Sequence, residues 1–236
     1  MMGSDMNELA LRSGLGVSRR HWLLHFTALG VLAACGPQAL AQANAGRRLV
    51  LVVGDSLSAE YGIKRGSGWV ALLEKRLAQH KVNATVVNAS ISGDTTSGGR
   101  TRLPALLRQH RPSHVILELG GNDALRGLPM AMTRGNLAQM ARESKAAGAK
   151  VLIAGMQVPP NYGRKYSEEF SGLFARVAKD EGTALVPFLL SGVADVPNAE
   201  SWFQADRIHP VEAAHPVILD NIWPVLQPLL QPPSNR

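Results

Sequence analysis

The chain has 236 residues, of which 45% are hydrophobic and one is a cysteine, and its formal net charge is +7. That length and apolar content suit one domain with a full core, which needs neither disulfides nor a metal to fold. Because the lysines and arginines are scattered and no nucleic-acid recognition motif accompanies them, the charge does not indicate a nucleic-acid partner.

Residues 1–45 have the features of an export signal. A basic region containing the pair Arg19 and Arg20 precedes an apolar stretch at 22–34, which is too short to span a bilayer. The arginine pair resembles a twin-arginine signal. We therefore expect a periplasmic or secreted protein whose remaining domain is 46–236.

Two processing sites compete in this leader. Ala-Leu-Ala at 39–41 fits ordinary signal cleavage, whereas Leu-Ala-Ala-Cys ending at Cys35 fits a lipoprotein site. In the second case a lipidated Cys35 would attach the protein to a membrane. Since Cys35 is the sole cysteine, no intrachain disulfide can form.

From residue 46 onward, short apolar runs alternate with amphipathic segments. The predicted strands are 49–53, 85–88, 114–119, 151–154 and 184–188. The predicted helices are 68–80, 100–110, 133–147, 168–181 and 212–230, the last with a break or kink at Pro216 and Pro224. This alternation predicts a single α/β domain on a doubly wound, mostly parallel sheet.

A serine stands where the first predicted strand breaks into a turn. Ser56 lies in Gly-Asp-Ser-Leu-Ser (54–58), directly after the apolar run 49–53. Gly93 and Asn122 each follow a different predicted strand within a few residues. Because ligands of such sheets bind outside the carboxyl ends of the strands, these three residues are expected to converge.

The convergent residues suggest nucleophilic catalysis. Serine needs an adjacent base, and His209 is the best candidate because an imidazole titrates at about pH 6.5. Asp206, three residues earlier, can orient the ring. The N–H groups of Ser56 and Gly93, with the Asn122 amide, would form an oxyanion hole. His215 is a rival base but lacks an aspartate three residues before it.

Four sequence blocks carry a resemblance to the SGNH, or GDSL, hydrolase family. They are Gly-Asp-Ser-Leu-Ser-Ala from 54, Asn-Ala-Ser-Ile-Ser-Gly-Asp-Thr from 88, Gly-Gly-Asn-Asp from 120, and Asp-x-x-His-Pro from 206. Within the family the chain is most similar to exported bacterial esterases of the thioesterase I, lysophospholipase and arylesterase type. The resemblance implies a three-layer α/β/α sandwich with a five-stranded sheet. It also implies a catalytic triad of Ser56, Asp206 and His209, and an oxyanion hole of Ser56, Gly93 and Asn122.

The expected activity is hydrolysis of acyl esters and thioesters by a monomer that needs no cofactor or metal. Arg207 stands where the family usually has glycine, and Glu60 where a small residue is common. Four apolar loop residues are expected to line the acyl groove, and the loop 124–130 to be mobile: Leu125, Leu128, Pro159 and Tyr162.

Two other functions stay open at this point. The same catalytic set also suits a carbohydrate O-acetyl esterase, although few aromatic residues are available for sugar stacking. The second alternative, from a different functional class, is a non-catalytic lipoprotein that binds acyl ligands. It would lack a catalytic residue, and none is missing.

Overall fold

The computed structural model describes residues 48–231. The predicted export signal, the domain boundary near residue 45 and Cys35 lie outside that range. No helix in the described part of the chain is long and apolar enough to cross a membrane.

Five parallel strands form one sheet. They are β1 (Arg48–Gly54), β2 (Ala84–Asn88), β3 (His114–Glu118), β4 (Lys150–Ala154) and β5 (Ala184–Val186). Their order across the sheet is β2-β1-β3-β4-β5. The strand that follows β1 in the chain, β2, lies on one side of it, and the next strand, β3, lies on the other side. The strand order therefore reverses between β1 and β3, and ligands of such sheets bind at this switch point.

The α-helices are α1 (Trp69–Gln79), α2 (Thr96–His110), α3 (Gly121–Leu125), α4 (Met130–Ala146), α5 (Arg164–Glu181) and α6 (His215–Leu229). Short 3-10 turns occur at Pro160–Tyr162, Ala199–Trp202 and Glu212–Ala214. The predicted α/β sandwich is thereby confirmed.

Both faces of the sheet are covered. Successive residues of a strand point to opposite faces, and in β1 Leu51 and Val53 pack with α2, α4 and α5, while Val50 and Val52 pack with α1 and α6. All four side chains are fully buried. The continuous apolar run of β1 thus reflects a strand that is buried on both sides.

Several predicted boundaries differ from the observed ones. Helix α2 begins four residues early because Thr95 caps it, its side chain accepting from the Gly98 N–H at 3.3 Å. Helix α4 begins directly after Pro129, and α5 begins at Arg164 rather than 168. The last segment divides into a 3-10 turn and α6, which continues through Pro224.

Candidate active site

Ser56, His209 and Asp206 form a continuous hydrogen-bonded chain. Ser56 Oγ lies 2.9 Å from His209 Nε2, and His209 Nδ1 lies 2.6 Å from Asp206 Oδ2. With the proton on Nδ1 donated to Asp206, Nε2 is free to accept the serine proton. The His209 side chain is 17% exposed, so it keeps access to solvent.

Asp206 is fixed by the loop that carries it. Its Oδ1 accepts from the N–H groups of Ile208 and His209, at 2.9 Å and 3.0 Å. Burial opposes ionisation of Asp206, but these hydrogen bonds and the His209 ring outweigh it and lower the pKa of Asp206 to about 2. Asp206 is therefore a carboxylate at any pH at which His209 can act as a base.

The tight turn between Asp206 and His209 places Arg207 in an unusual conformation. Its φ is +59°, in the left-handed region that favours glycine. This conformation explains why the SGNH family, which the sequence resembles, usually has glycine at this position. Its side chain is 76% exposed and faces solvent beside the cavity mouth.

Three donors are available for an oxyanion. The backbone N–H groups of Ser56 and Gly93 donate to no other residue in the described chain. The third donor is the Asn122 amide. Its Nδ2 also donates to Asp55 Oδ2 at 3.0 Å, and this hydrogen bond determines which end of the amide faces the site. At Gly93 the φ is +78°, so a residue with a Cβ would be strained there.

Arg102 and Arg126 hold the Gly93 turn against the rest of the site. Arg102 donates to Asp94 Oδ2 at 2.8 Å and to the Gly54 carbonyl at 3.2 Å, which links that turn to the end of β1. Arg126 donates to the Gly93 carbonyl at 2.7 Å. The position of Gly93 thus depends on two cations from different elements.

A pair of buried acids lies beneath the nucleophile turn. Glu118 Oε2 accepts from Ser58 Oγ at 2.6 Å and from the Asp55 N–H at 3.2 Å. Burial and the neighbouring Asp55 charge raise the pKa of Glu118 well above its usual range. Burial is also the main cause that raises the pKa of Asp55, to about 6.

A cavity of about 640 Å³ opens beside Ser56 and has a mostly apolar wall. Leu125 and Pro159, two of the four predicted groove residues, line it. Further lining residues that sequence analysis did not identify are Leu57, Met156, Gln157, Val158, Phe188, Leu189, Leu190, Ala194, Asp195, Phe203 and Ile208.

The other two predicted groove residues lie outside the wall of this cavity. Leu128 follows the α3 turn, where its N–H donates to the Asp123 carbonyl at 2.9 Å, and its side chain is half-buried. Tyr162 packs instead against Tyr166, with ring centroids 5.7 Å apart, at a separate shallow depression. Because segments predicted as loops have no fixed side-chain period, no sequence pattern separates these two residues from Leu125 and Pro159.

His215 has a structural role. It is 2% exposed, and its Nδ1 accepts from the Trp69 N–H at 3.1 Å, at the start of α1. Burial lowers the pKa of His215. This arrangement leaves His209 as the histidine that contacts Ser56.

Supporting polar residues were missed by sequence analysis. Asp123, fully buried, accepts from the Thr96 N–H at 2.8 Å and from Thr133 Oγ1 at 3.0 Å, joining the Asn122 loop to α2 and α4. Asp55 and Asp123 lie inside two of the recognised blocks, which was an available signal. For Glu118 the signal was a single acid in an otherwise apolar strand.

Comparisons with known proteins show the family to which the chain belongs. Residues 52–217 match the GDSL-like Lipase/Acylhydrolase family. The chain is 52% identical to Esterase TesA of Pseudomonas aeruginosa over 200 residues, 85% of this chain and 98% of that one. It is 44% identical over 181 residues to Thioesterase 1/protease 1/lysophospholipase L1 of Escherichia coli K12, 77% and 84% of the two chains.

A solved structure is similar as well. The psychrotrophic esterase EstA from Pseudoalteromonas sp., in a structure inhibited by monoethylphosphonate, has a TM-score of 0.72 at 37% identity. The match covers 78% of this chain and 98% of that one.

Proposed function

Because the chain belongs to the GDSL-like lipase/acylhydrolase family and is a carboxylic ester hydrolase, we propose that it cleaves acyl esters and thioesters through an acyl-enzyme on Ser56. The observation that carries this proposal is the hydrogen-bonded chain from Ser56 through His209 to Asp206, which opens onto an apolar cavity. The named relatives are esterases and a thioesterase.

The first half of the reaction forms the acyl-enzyme. Ser56 Oγ attacks the acyl carbonyl carbon while His209 Nε2 takes the serine proton, and Asp206 stabilises the resulting imidazolium. The carbonyl oxygen becomes an oxyanion that the N–H groups of Ser56 and Gly93 and the Asn122 amide stabilise. His209 then gives its proton to the leaving alcohol or thiol as the tetrahedral intermediate collapses.

The second half releases the acid. A water molecule attacks the acyl-serine and loses a proton to His209, and the same three donors stabilise the second oxyanion. Collapse returns the proton to Ser56 Oγ and frees the carboxylic acid. No electron transfer is needed, and each proton lost is returned.

The experiment that tests this function compares kcat/KM for p-nitrophenyl esters from acetyl to palmitoyl with that for acyl-CoA thioesters. We expect turnover that peaks at medium or long chains and is lost in Ser56→Ala, whose circular dichroism and melting temperature stay unchanged. If purified, folded Ser56→Ala keeps more than a few per cent of activity, the nucleophile is another residue. Turnover limited to acetyl would favour the carbohydrate O-acetyl esterase, and no turnover would favour the acyl-binding lipoprotein.

The acyl chain is proposed to lie along the wall that contains Leu125 and Pro159. Replacing Leu125 by alanine enlarges the cavity where a long chain would pack, so the chain-length optimum should shift by one or more carbons. Leu128→Ala is the matched control, because it removes the same atoms from the same loop outside the cavity. Equal chain-length profiles for both variants and the wild type would exclude this loop from the pocket.

We further propose that the protein acts outside the cytoplasm as a monomer, either free or anchored through Cys35. Intact-mass measurement of the exported protein tests the alternatives, since cleavage after residue 41 and lipidation at Cys35 give different masses. Cys35→Ser should abolish membrane recovery only if the lipoprotein site is used.

A further inference from the structure

Four large apolar side chains are exposed on the described part of the chain, and three of them contact His209 or line the cavity beside Ser56. The exposed fraction of each side chain is between 43% and 53%, and the four residues are Tyr61, Ile91, Leu125 and Ile208. No other large hydrophobic residue of the described chain is exposed to this extent. We call these four residues the apolar collar. Large apolar groups gathered on one surface indicate an interaction site.

Contacts with the catalytic residues place three members of the collar. The Tyr61 ring packs on the His209 ring, with centroids 4.2 Å apart. Leu125 and Ile208 line the cavity beside Ser56. These three residues come from separate loops, so it is the fold, and not their sequence spacing, that gathers them.

Ile91 belongs to the oxyanion turn. Its N–H donates to the Gly54 carbonyl at 3.0 Å, next to the nucleophile turn, and its carbonyl accepts from the Asp94 N–H at 3.1 Å across Gly93. Its side chain does not line the catalytic cavity. The apolar collar therefore extends beyond the substrate pocket onto the surrounding surface.

Exposed cations adjoin the collar in the sequence. Lys64 and Arg65 lie in the same loop as Tyr61, Arg126 follows Leu125, and Arg207 precedes Ile208. Long basic side chains beside apolar groups suit a surface that is apolar inside and anionic at its boundary, because their stems cover apolar area while their charges reach outward.

The acids near the collar have partners of their own, among them Asp206, which accepts from the N–H groups of Ile208 and His209 and contacts the His209 ring. Glu60 accepts from the N–H groups of Gly66 and Gly68 at 2.9 Å and 2.8 Å. Asp195 accepts from the Gly192 N–H at 2.6 Å. Glu200 lies 4.0 Å from Arg207 with both side chains more than three-quarters exposed, so solvent screens that pair.

We propose that the apolar collar and its adjacent cations dock this protein on the surface of an anionic phospholipid bilayer. Side chains such as tyrosine and isoleucine enter the boundary between headgroups and acyl chains, while lysine and arginine contact lipid phosphates. A protein partner bound to the collar would block the cavity that substrates must enter. A bilayer would not block it, because its acyl chains can pass from the membrane directly into the cavity.

This inference rests on the proposed function in one respect, namely that the docked lipid layer supplies acyl substrates to Ser56. Docking itself needs no catalysis. Ser56→Ala should therefore bind vesicles as the wild type does.

The test is co-sedimentation of the exported, processed protein with vesicles of equal parts phosphatidylcholine and phosphatidylglycerol, and with vesicles of phosphatidylcholine alone. We expect stronger binding to the anionic vesicles. Ile91→Asp should weaken that binding by about tenfold or more, because it replaces an exposed apolar group that would enter the bilayer with a charge that the lipid repels. The circular dichroism spectrum and melting temperature of Ile91→Asp should match those of the wild type, which would show that the lost binding is not a loss of folding.

Asn83→Asp is the matched control. Asn83 is exposed and precedes β2, at the opposite end of the sheet, and the substitution adds the same charge without changing shape. Its vesicle binding should equal that of the wild type. Every variant shares one N-terminal end, so any contribution of residues 1–47 to binding cancels in the comparison.

Three outcomes would overturn the docking surface: no wild-type binding to either vesicle, equal binding to both, or equal loss in Ile91→Asp and Asn83→Asp. If these appear while soluble esters are still hydrolysed, docking alone fails. If Ile91→Asp loses binding but the wild type hydrolyses no ester, docking stands and the proposed function fails.

Discussion

Two acids lie close to Ser56, and their pKa values shift in opposite directions. Asp206 belongs to an exposed loop, whereas Asp55 lies at the buried ends of β1 and β3. The Asp206 side chain is 38% exposed, and three hydrogen bonds lower its pKa to about 2. Asp55 is 2% exposed, and burial raises its pKa to about 6. In the proposed mechanism one acid supports a charge that develops during reaction, whereas the other holds neighbouring groups in place.

This difference assigns separate tasks to the two sides of the site. Asp206 contacts the base, so its removal affects proton transfer directly. Asp55 contacts the Asn122 amide and the N–H of Leu57, at 3.0 Å each, so its removal acts through the oxyanion hole and the nucleophile turn. We refer to Asp206 as a catalytic partner and to Asp55 and Glu118 as positioning residues.

The largest effect is expected for Asp206→Asn. An amide in place of the carboxylate favours the wrong tautomer of His209 and cannot stabilise the imidazolium, so kcat should fall by about 10⁴-fold. The loss of stability should be small, because solvent screens the charge of this exposed residue and the asparagine oxygen can still accept from the N–H groups of Ile208 and His209. Steady-state kinetics with a medium-chain p-nitrophenyl ester measure the loss, and a decrease below about tenfold would mean that Asp206 is not the orienting acid.

Asp55→Asn should have a smaller effect of a different kind. The asparagine has one acceptor oxygen for two donors, so it can satisfy Leu57 or the Asn122 amide but not both. With Asn122 misoriented, kcat should fall by about tenfold to a hundredfold while KM stays nearly unchanged. The decrease is smaller than for complete removal of one oxyanion-hole donor, because the Asn122 amide is still present.

Asn122→Ala provides the comparison for that variant. Since it removes the same donor outright, the double variant should be no worse than Asn122→Ala alone. Additive losses would show that Asp55 acts through some other group.

Stability should depend on pH through Asp55. Its pKa is raised in the folded protein, from 3.8 to about 6, so the folded state binds more protons between those pH values and the free energy of unfolding falls as pH rises through that window. The shift corresponds to a loss on the order of 3 kcal/mol. Asp206 has the opposite sign: its contribution is present above pH 3.8 and is lost as pH falls towards 2.

Urea denaturation at pH 4, 5, 6 and 7 checks the Asp55 contribution. Relative to Asp55→Asn, the wild type should lose stability between pH 4 and 6 and then level off. A constant difference across the series would contradict the raised pKa of Asp55.

Glu118→Gln is expected to have the smallest effect on activity. Burial and the neighbouring Asp55 charge raise the pKa of Glu118 well above its usual range, so the fold favours the neutral form, and glutamine resembles that form in charge and shape. Its oxygen can still accept from Ser58 Oγ and the Asp55 N–H. A kcat within about threefold of wild type is expected, whereas Glu118→Ala should destabilise the fold through an unsatisfied cluster.

The sequence predicts more of the catalytic set than of its support. Ser56, Gly93 and Asn122 each follow a strand, and parallel strands end at one edge, so their convergence follows from topology. Asp206 and His209 are three residues apart and meet within one turn. The family resemblance, and the sandwich fold that it implied, were predicted from the sequence blocks that contain these same residues. Both predictions are confirmed.

The remaining features depend on three-dimensional contacts that no local pattern records. Glu118 contacts the nucleophile turn across 60 residues of sequence, and its burial, which sets its charge, is a property of the folded sheet. Leu125, at the end of α3, lines the cavity, and Leu128, in the turn that follows, does not, although both are apolar and only three residues apart. The early start of α2 was readable from Thr95, a standard capping residue that the prediction passed over.

The most direct test of the central claim is covalent trapping of the nucleophile. The protein is treated with an activated alkylphosphonate ester, and the modified peptide is identified by mass spectrometry while esterase activity is followed. We predict one adduct per chain, on Ser56, with activity lost in proportion, and no adduct in Ser56→Ala. An adduct on another residue, or full turnover by protein modified at Ser56, would contradict the acyl-enzyme mechanism.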